Sequence, residues 1–530
     1  MLQTKRSYRG MVTAPHHLAA RAGLRVLEDG GNAVEAMIAA AAAISVVYPH
    51  MNSMGGDNFW LIHTPGGNVA GIDACGGAAA GADIAFYKDQ GLDAIPARGN
   101  LAALTVAGAV SGWREALAFS REKCGGGLPL ARLLEDAIFY AKDGVAVTDT
   151  LAKNADAKFN ELKDAPGFKE NFLIDGALPN VGARFRQPRI AATLQRLAAA
   201  GLDDFYRGEL ARTIAADLER AGTPLRLEDL QRHRARIVAP LSLKVAGHEI
   251  FNMPPPTQGL ASLLLLGIYE RLHVSEAETF EYVHALVEAT KQAFLVRDRY
   301  ITDPDYMDAD PADFMAAPAL DEMAADIDPY RALAWPEEGM GGDTVWLGAV
   351  DGEGRAVSFI QSIYWEFGSG TVLDETGITW QNRGTGFSLD PAHHNCLQPH
   401  RRPFHTIQPA LARLADGRVM PYGAMGGEGQ PQTQAMLFSR HVLHGQELQQ
   451  AVSAPRWLLG RTWGADAADL RIENRFEPAI ITALRAAGHE LEEIGPFDEV
   501  MGHAGALVHH PDGLIEGAAD PRGDGTAAGF

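Results

Sequence analysis

Cysteine is scarce in this 530-residue chain: Cys75, Cys124 and Cys396 are all it has. They form no CxxC pair and leave one thiol over, which excludes a disulfide framework and a cysteine-based zinc cluster. Positive charge is also short, with 46 Lys and Arg against 67 Asp and Glu and a formal charge of −21. Nucleic-acid binding needs a concentrated basic surface, so that class of partner is set aside. The same negative field disfavours anionic substrates unless a local arginine overrides it. The longest apolar run, Met37 to Val47, ends at Tyr48-Pro49 and is too short to span a bilayer. The first eight residues carry no apolar segment behind Lys5-Arg6, so no secretory signal is read there. The glycine-rich dinucleotide fingerprint, the P-loop and the GxSxG nucleophile elbow are missing, which removes the common nucleotide and serine-hydrolase readings. A soluble cytoplasmic protein is the simplest expectation.

What is present begins with an ordinary globular composition, 46 % hydrophobic and 21 % charged. The length admits roughly three to four domains, or one large layered α/β unit. The N-terminal part reads as helices. His16 to Glu28 is followed by Asn32, which caps a second helix with Glu35 three positions on. That second helix is apolar almost all round and is expected to be buried. Asn58 to His63 and Asn68 to Asp73 read as a hairpin around Pro65-Gly66-Gly67. Residues 105–300 read as mainly helical, broken by Asn252-Met253-Pro254-Pro255-Pro256. From Thr344 the period becomes that of strands. Thr344 to Val350 and Arg355 to Ile363 flank the turn Asp351-Gly352-Glu353-Gly354, with further turns at Asp416-Gly417 and Asp512-Gly513. Helices are expected at about 432–444 and 475–488. A helical first half and a sheet-rich second half suit a layered α+β architecture, with the loop around 325–343 as the main break.

The point of greatest chemical interest is Asp343-Thr344, between the glycine-rich Glu338 to Gly342 and the strand-like Thr344 to Val350. Cleavage there would leave Thr344 as a new N-terminus. Its free α-amino group, titrating near pH ~8, would then serve as base for its own hydroxyl. Threonine also opens ordinary strands, so this residue needs its surroundings. Ser362 lies on the returning strand, where it is placed to polarise Thr344 or simply to bond a neighbouring carbonyl. Gly426-Gly427 ends the strand Arg418 to Ala424 and reads either as a pair of oxyanion donors or as a plain turn. Arg383, in a polar loop after the Thr379-Trp380 strand, reads as a carboxylate clamp or a surface arginine. His405 and Thr406 offer further donors. The adjacent pairs His16-His17, His393-His394 and His509-His510 should diverge, so no metal is assigned, and no cofactor is expected.

Together these segments resemble the γ-glutamyltransferase family of N-terminal-nucleophile hydrolases over nearly the whole chain. The shared motifs include Gly30 to Ala36, Met54 to Phe59, Asp303-Pro304-Asp305, Gly342-Asp343-Thr344, Phe367 to Gly370, Arg402-Pro403, Gly426-Gly427 and Asp520-Pro521-Arg522. The resemblance implies a four-layer αββα sandwich. It also implies autocleavage into a large subunit, residues 1–343, and a small subunit, residues 344–530. Thr344 would form an acyl-enzyme, Gly426-Gly427 would stabilise the oxyanion, and Ser362 falls where the family keeps a second threonine. Assembly beyond the two subunits, including a homodimer of heterodimers, is not fixed by the sequence.

Departures from the γ-glutamyl pattern point to the substrate. The arginine that grips the α-carboxylate falls at Cys75, and the acid for the α-ammonium falls at Gly386. An asparagine is replaced by Tyr364 and a serine pair by His405-Thr406, while Arg383 stands where a neutral amide is usual. An ammonium without its anionic partner loses a charge-assisted bond of roughly 1.5–3 kcal/mol. The pocket therefore suits an amide bearing a carboxylate but no amino group, bound by Arg383, Tyr364, His405 and Thr406. Ser362 to Phe367, Trp380 to Arg383 and Trp457 to Gly464 most resemble the oxamate amidohydrolase branch of the family, implying conversion of oxamate to oxalate and ammonia in purine breakdown. The rivals are a γ-glutamyl hydrolase or transpeptidase, a glutaryl or cephalosporin acylase, and a non-catalytic binding protein that keeps the fold.

Overall fold

The computed structural model describes residues 2–335, 343–460 and 470–530, and for Asp343 the backbone alone. The glycine-rich approach Glu338 to Gly342 and the stretch Arg461 to Gly464 lie outside the described residues.

Two seven-stranded sheets form the middle of the molecule. The first runs in the order Thr526–Gly529, Gly10–Ala14, Asp343–Asp351, Ala356–Tyr364, Asp57–His63, Val69–Ala74, Arg236–Val238. The second runs Lys5–Ser7, Ile515–Ala519, Ala504–His509, Val419–Ala424, Ala410–Arg413, His248–Asn252, Leu241–Val245. Each consists of antiparallel pairs. Their facing sides meet through Phe59, Trp346, Ile360, Leu411 and Leu507, all buried in one apolar cluster. Helices His17–Glu28, Ala33–Val47, Ala109–Lys123 and Leu130–Asp143 contribute to the apolar cluster of the first sheet. Helices Gly259–Arg271, Phe280–Tyr300 and Gly429–Phe438 contribute to that of the second. The result is the expected αββα sandwich.

Local signals explain the central elements. Asn32 caps Ala33–Val47 through a reciprocal box with Glu35, and every residue of this helix is buried. Its apolar circumference suits a position between neighbouring helices and the first sheet. Both hairpins expected around Gly66 and Gly352 form, as do the turns at Gly417 and Gly513. Gly429–Phe438 and Pro478–Ala486 stand where the two late helices were expected.

Three expectations need correction. The first half is not simply helical, because Lys5–Ser7, Gly10–Ala14 and the run 236–252 supply strands to both sheets. These strands are short, and the first two find partners hundreds of residues away, such as Gly517 opposite Lys5 and Val350 opposite Met11. The Thr379-Trp380 strand is reduced to isolated bridges, Thr379 with Val372 and Trp380 with Gly55. The rings of His16-His17 and of His393-His394 stack, with centroids 4.6 and 4.5 Å apart, rather than diverging. His16 is a helix N-cap and His393-His394 occupy a turn, so the side-chain alternation of a regular element does not apply.

Candidate active site

Thr344 is fully buried near the start of Asp343–Asp351. The register shifts there: Asp343 pairs with Tyr364 and Val345 with Gln361, so a bulge sets Thr344 against the Ser362-Ile363 stretch. Bulges re-aim side chains and occur beside active sites. Gln430 donates to the Thr344 hydroxyl at 3.4 Å, while its own carbonyl accepts from the Gln408 amide at 3.1 Å.

Ser362 lies directly opposite Asp57 on the neighbouring strand, so the two side chains share one face of the first sheet. Gly56 makes this approach feasible: a Cβ there would come within 2.1 Å of the Ser362 carbonyl oxygen. The Ser362 hydroxyl accepts from the Tyr364 amide at 2.8 Å and from Arg383 Nη2 at 3.4 Å. Arg383 Nη1 donates to the Thr406 hydroxyl at 3.1 Å, and the guanidinium lies over the Tyr364 ring at 4.0 Å. Tyr364 holds the left-handed φ of +83°, a strained conformation for an aromatic residue and one that tends to cluster at functional sites. Arg383 is 1 % exposed and therefore no surface arginine. Its loop is pinned by Asn382, which donates to the Ala97 carbonyl and accepts from the Trp365 amide, and by Gln381, which donates to the Val106 carbonyl.

His405 completes the cluster, its Nε2 3.6 Å from Asp57 Oδ2. Asp57 Oδ1 accepts from the amides of Gly108 and Gly76 at 2.9 and 3.1 Å, whereas Oδ2 has no hydrogen-bond partner among the described residues. Among the described residues neither ring nitrogen of His405 has one, nor does Arg383 Nε.

Burial governs the charges. It raises the Asp57 carboxyl to about 7, against the opposing pull of Arg383, the two glycine amides and the Gln381 side chain. It lowers the Arg383 guanidinium to about 10, though Tyr364, Asp57 and Cys75 act the other way. Burial, then the positive charge of Arg383, holds His405 well below its usual range and so neutral. Burial, then Asp73 and Asp57, pushes the Cys75 thiol up, so it too is neutral. Near neutral pH the cluster is one permanent cation beside one carboxyl poised to change state.

Gly426 and Gly427 take φ of +118° and +51° between Val419–Ala424 and Gly429–Phe438. Their amides donate to no acceptor among the described residues, leaving them available to an oxyanion. Gln258 ties this turn to the Arg383 pocket, because its side-chain amide donates to the carbonyls of both Thr406 and Gly427. Ser362, Tyr364, Arg383 and Thr406 thus form a chain of contacts in one buried region, with His405 beside it at Asp57 and Thr344 set next to Ser362 by the strand register. Gly426-Gly427 is joined to it through Gln258 and Gln430.

Asp57, Gln258 and Gln430 were not among the residues singled out from sequence. Asp57 stands inside the Met54 to Phe59 motif, and its strand register with Ser362 is the signal that identifies it. Position 386 is open, with only the Phe404 carbonyl oxygen 3.9 Å from where a Cβ would stand. Among the described residues, His284, Glu288 and His489 bring metal-type donors within 4.8 Å of one another. They already bond one another and their neighbours: His284 to His489 at 2.8 Å, and Glu288 to the Lys291 ammonium at 2.7 Å.

The family model described as gamma-glutamyltranspeptidase matches residues 19–530. The chain is 55 % identical to an oxamate amidohydrolase proenzyme of Klebsiella pneumoniae over 99 % of both sequences. It is 40 % identical to a glutathione hydrolase-like proenzyme of Bacillus subtilis over 98 % of both. Among solved structures, a cephalosporin acylase from Bacillus halodurans superimposes with a TM-score of 0.92 at 34 % identity, covering 100 % of this chain and 97 % of that one.

Proposed function

Because the chain belongs to the gamma-glutamyltranspeptidase family, we propose that it is a self-processing amidohydrolase acting on a small carboxylate-bearing amide, with oxamate as substrate. The observation that carries this reading is Arg383: a buried guanidinium within reach of Ser362 and Thr406, with its Nε unpartnered among the described residues. Such a cation calls for an anionic ligand, and a guanidinium binds a carboxylate through two parallel bonds. A 55 % identical relative bearing the name oxamate amidohydrolase supports the same substrate.

Maturation starts with attack of the Thr344 hydroxyl on the Asp343 carbonyl carbon. The peptide bond moves to an ester, whose hydrolysis leaves residues 1–343 and 344–530 as subunits and frees the Thr344 amine. In turnover this amine accepts the hydroxyl proton while Thr344 Oγ attacks the amide carbon of oxamate. The Gly426 and Gly427 amides receive the oxyanion. Collapse expels ammonia, which carries away the proton held by the amine. Water then attacks the oxalyl ester with the amine again as base, releasing oxalate and restoring the hydroxyl. Ser362 orients the nucleophile.

No helix among the described residues is long and apolar enough to cross a membrane. We infer a cytoplasmic location from the three buried, unpaired cysteines, which suit a reducing compartment.

A glutathione-type hydrolase is the second reading, favoured by the 40 % identical relative. It would need a grip on an α-ammonium that position 386 does not offer. Ammonia release from oxamate, measured beside hydrolysis of a γ-glutamyl chromogenic amide, separates the two. Turnover of oxamate alone is expected, and turnover of the γ-glutamyl compound alone would overturn the substrate assignment.

A further inference from the structure

Asp57 is the part of this pocket that the reaction sequence above leaves unused. Its side chain lies on the same sheet face as Ser362, one oxygen clamped by two backbone amides and the other without a hydrogen-bond partner among the described residues. The titratable groups around it are Arg383 and His405 across the pocket, Cys75 on the adjoining hairpin, and Tyr206 behind it. Of these only Arg383 is charged near neutrality; Cys75 and Tyr206 are pushed up by burial, and His405 is pushed down.

An anion entering beside Arg383 creates a conflict. Two carboxylates would then share one guanidinium in a water-poor space, and like charges so placed do not both stay ionised. The unpartnered Asp57 Oδ2 can resolve it by carrying a proton. As a hydroxyl it becomes a donor, toward a carboxylate oxygen or toward the neutral His405 ring 3.6 Å away.

We propose that Asp57 is the specificity-determining residue that makes anion binding proton-linked: its carboxyl group takes one proton from solvent as an amide-borne carboxylate settles against Arg383. The pocket accepts the anion and the proton together. In the empty site above about pH 7 the ionised Asp57 supplies Arg383 with a counter-charge. The absence of an arginine at position 75 fits this arrangement, since a second cation there would keep Asp57 ionised. The inference rests on the reading that the pocket takes a carboxylate-bearing amide.

Two measurements test it. In the first, KM for oxamate is followed from pH 6 to 9 with the processed protein. With Asp57 titrating at about 7, KM is expected to hold steady at the acid end and to rise roughly tenfold per pH unit beyond that point, while kcat follows the Thr344 amine and rises with pH toward about 8. In D57N, whose amide keeps the contacts to Gly76 and Gly108 but cannot ionise, the slope should vanish. A flat KM in the wild type, or the same slope in D57N, overturns the proposal. In the second, oxalate is titrated into the wild-type protein near pH 8 in buffers of different ionisation enthalpy. Uptake of about one proton per oxalate is expected from linkage, and no uptake, or no binding, overturns it. Should oxamate never turn over, the substrate reading falls while proton uptake with oxalate still decides the role of Asp57.

Discussion

At the level of single residues Thr344 and Arg383 have different tasks, and each has its own test. Thr344→Val keeps the branched shape and removes the hydroxyl. The expected result is an unprocessed band at 56.8 kDa on a denaturing gel and no ammonia from oxamate. Arg383→Met replaces the guanidinium by an apolar chain of similar reach. Removing one partner of a buried charge pair costs about 2–5 kcal/mol, so KM should rise by roughly two or more decades while processing continues. Asp57 carries a stability signature as well. Its folded-state value of about 7 lies above the ordinary 3.8, so between these limits the folded chain holds a proton that the unfolded chain has lost. Stability therefore falls as pH rises through that window. D57N should melt above the wild type at pH 8 and alongside it near pH 4, as thermal unfolding by circular dichroism would show. Thr344 stands out in the sequence only when its glycine-rich junction is read together with the family motifs around it. Asp57 was hidden because its meaning comes from register with Ser362, more than three hundred residues away, and sequence spacing does not carry register.

Elements decide how these groups meet. The Gly426-Gly427 turn is held open by positive φ at both residues and fastened by Gln258. Gly426→Ala forces a side chain into a conformation that costs on the order of 1–3 kcal/mol. It should lower kcat by roughly a hundredfold or more through a displaced oxyanion donor, with a smaller change in KM. A drop confined to KM would argue that the turn binds substrate rather than the oxyanion. The hairpins were legible from their turns, Asp351 to Gly354 above all, and the buried helix from its cap and its unbroken apolar run. The edge strands were not. Lys5–Ser7 has no alternation to read, and Thr526–Gly529 is paired with Gly10–Ala14, which it meets only in the folded chain. The Arg383 loop is similar: its depth comes from Gln381 and Asn382 reaching the 97–106 segment, a contact that local pattern does not encode.

Across the whole molecule, the proposed cut before Thr344 would divide the chain without dividing the fold. Asp343–Asp351 pairs with Gly10–Ala14, and Ala356–Tyr364 pairs with Asp57–His63, so each sheet joins residues from both sides of the junction. Apolar clusters also cross it, with Trp60 and Ile62 beside Val357 and Phe359. Burial at this scale far exceeds the loss of one covalent link. The two fragments should therefore co-elute on gel filtration and part only in denaturant; separation under native conditions would mean that the sheets are not shared as described.

Intact-mass spectrometry of the wild-type protein, acid-quenched during turnover of oxamate, tests the central chemistry most directly. The expected spectrum contains a small subunit beginning at Thr344, part of it carrying an oxalyl ester on that residue. An uncleaved, unmodified chain in a sample that is releasing ammonia would contradict it.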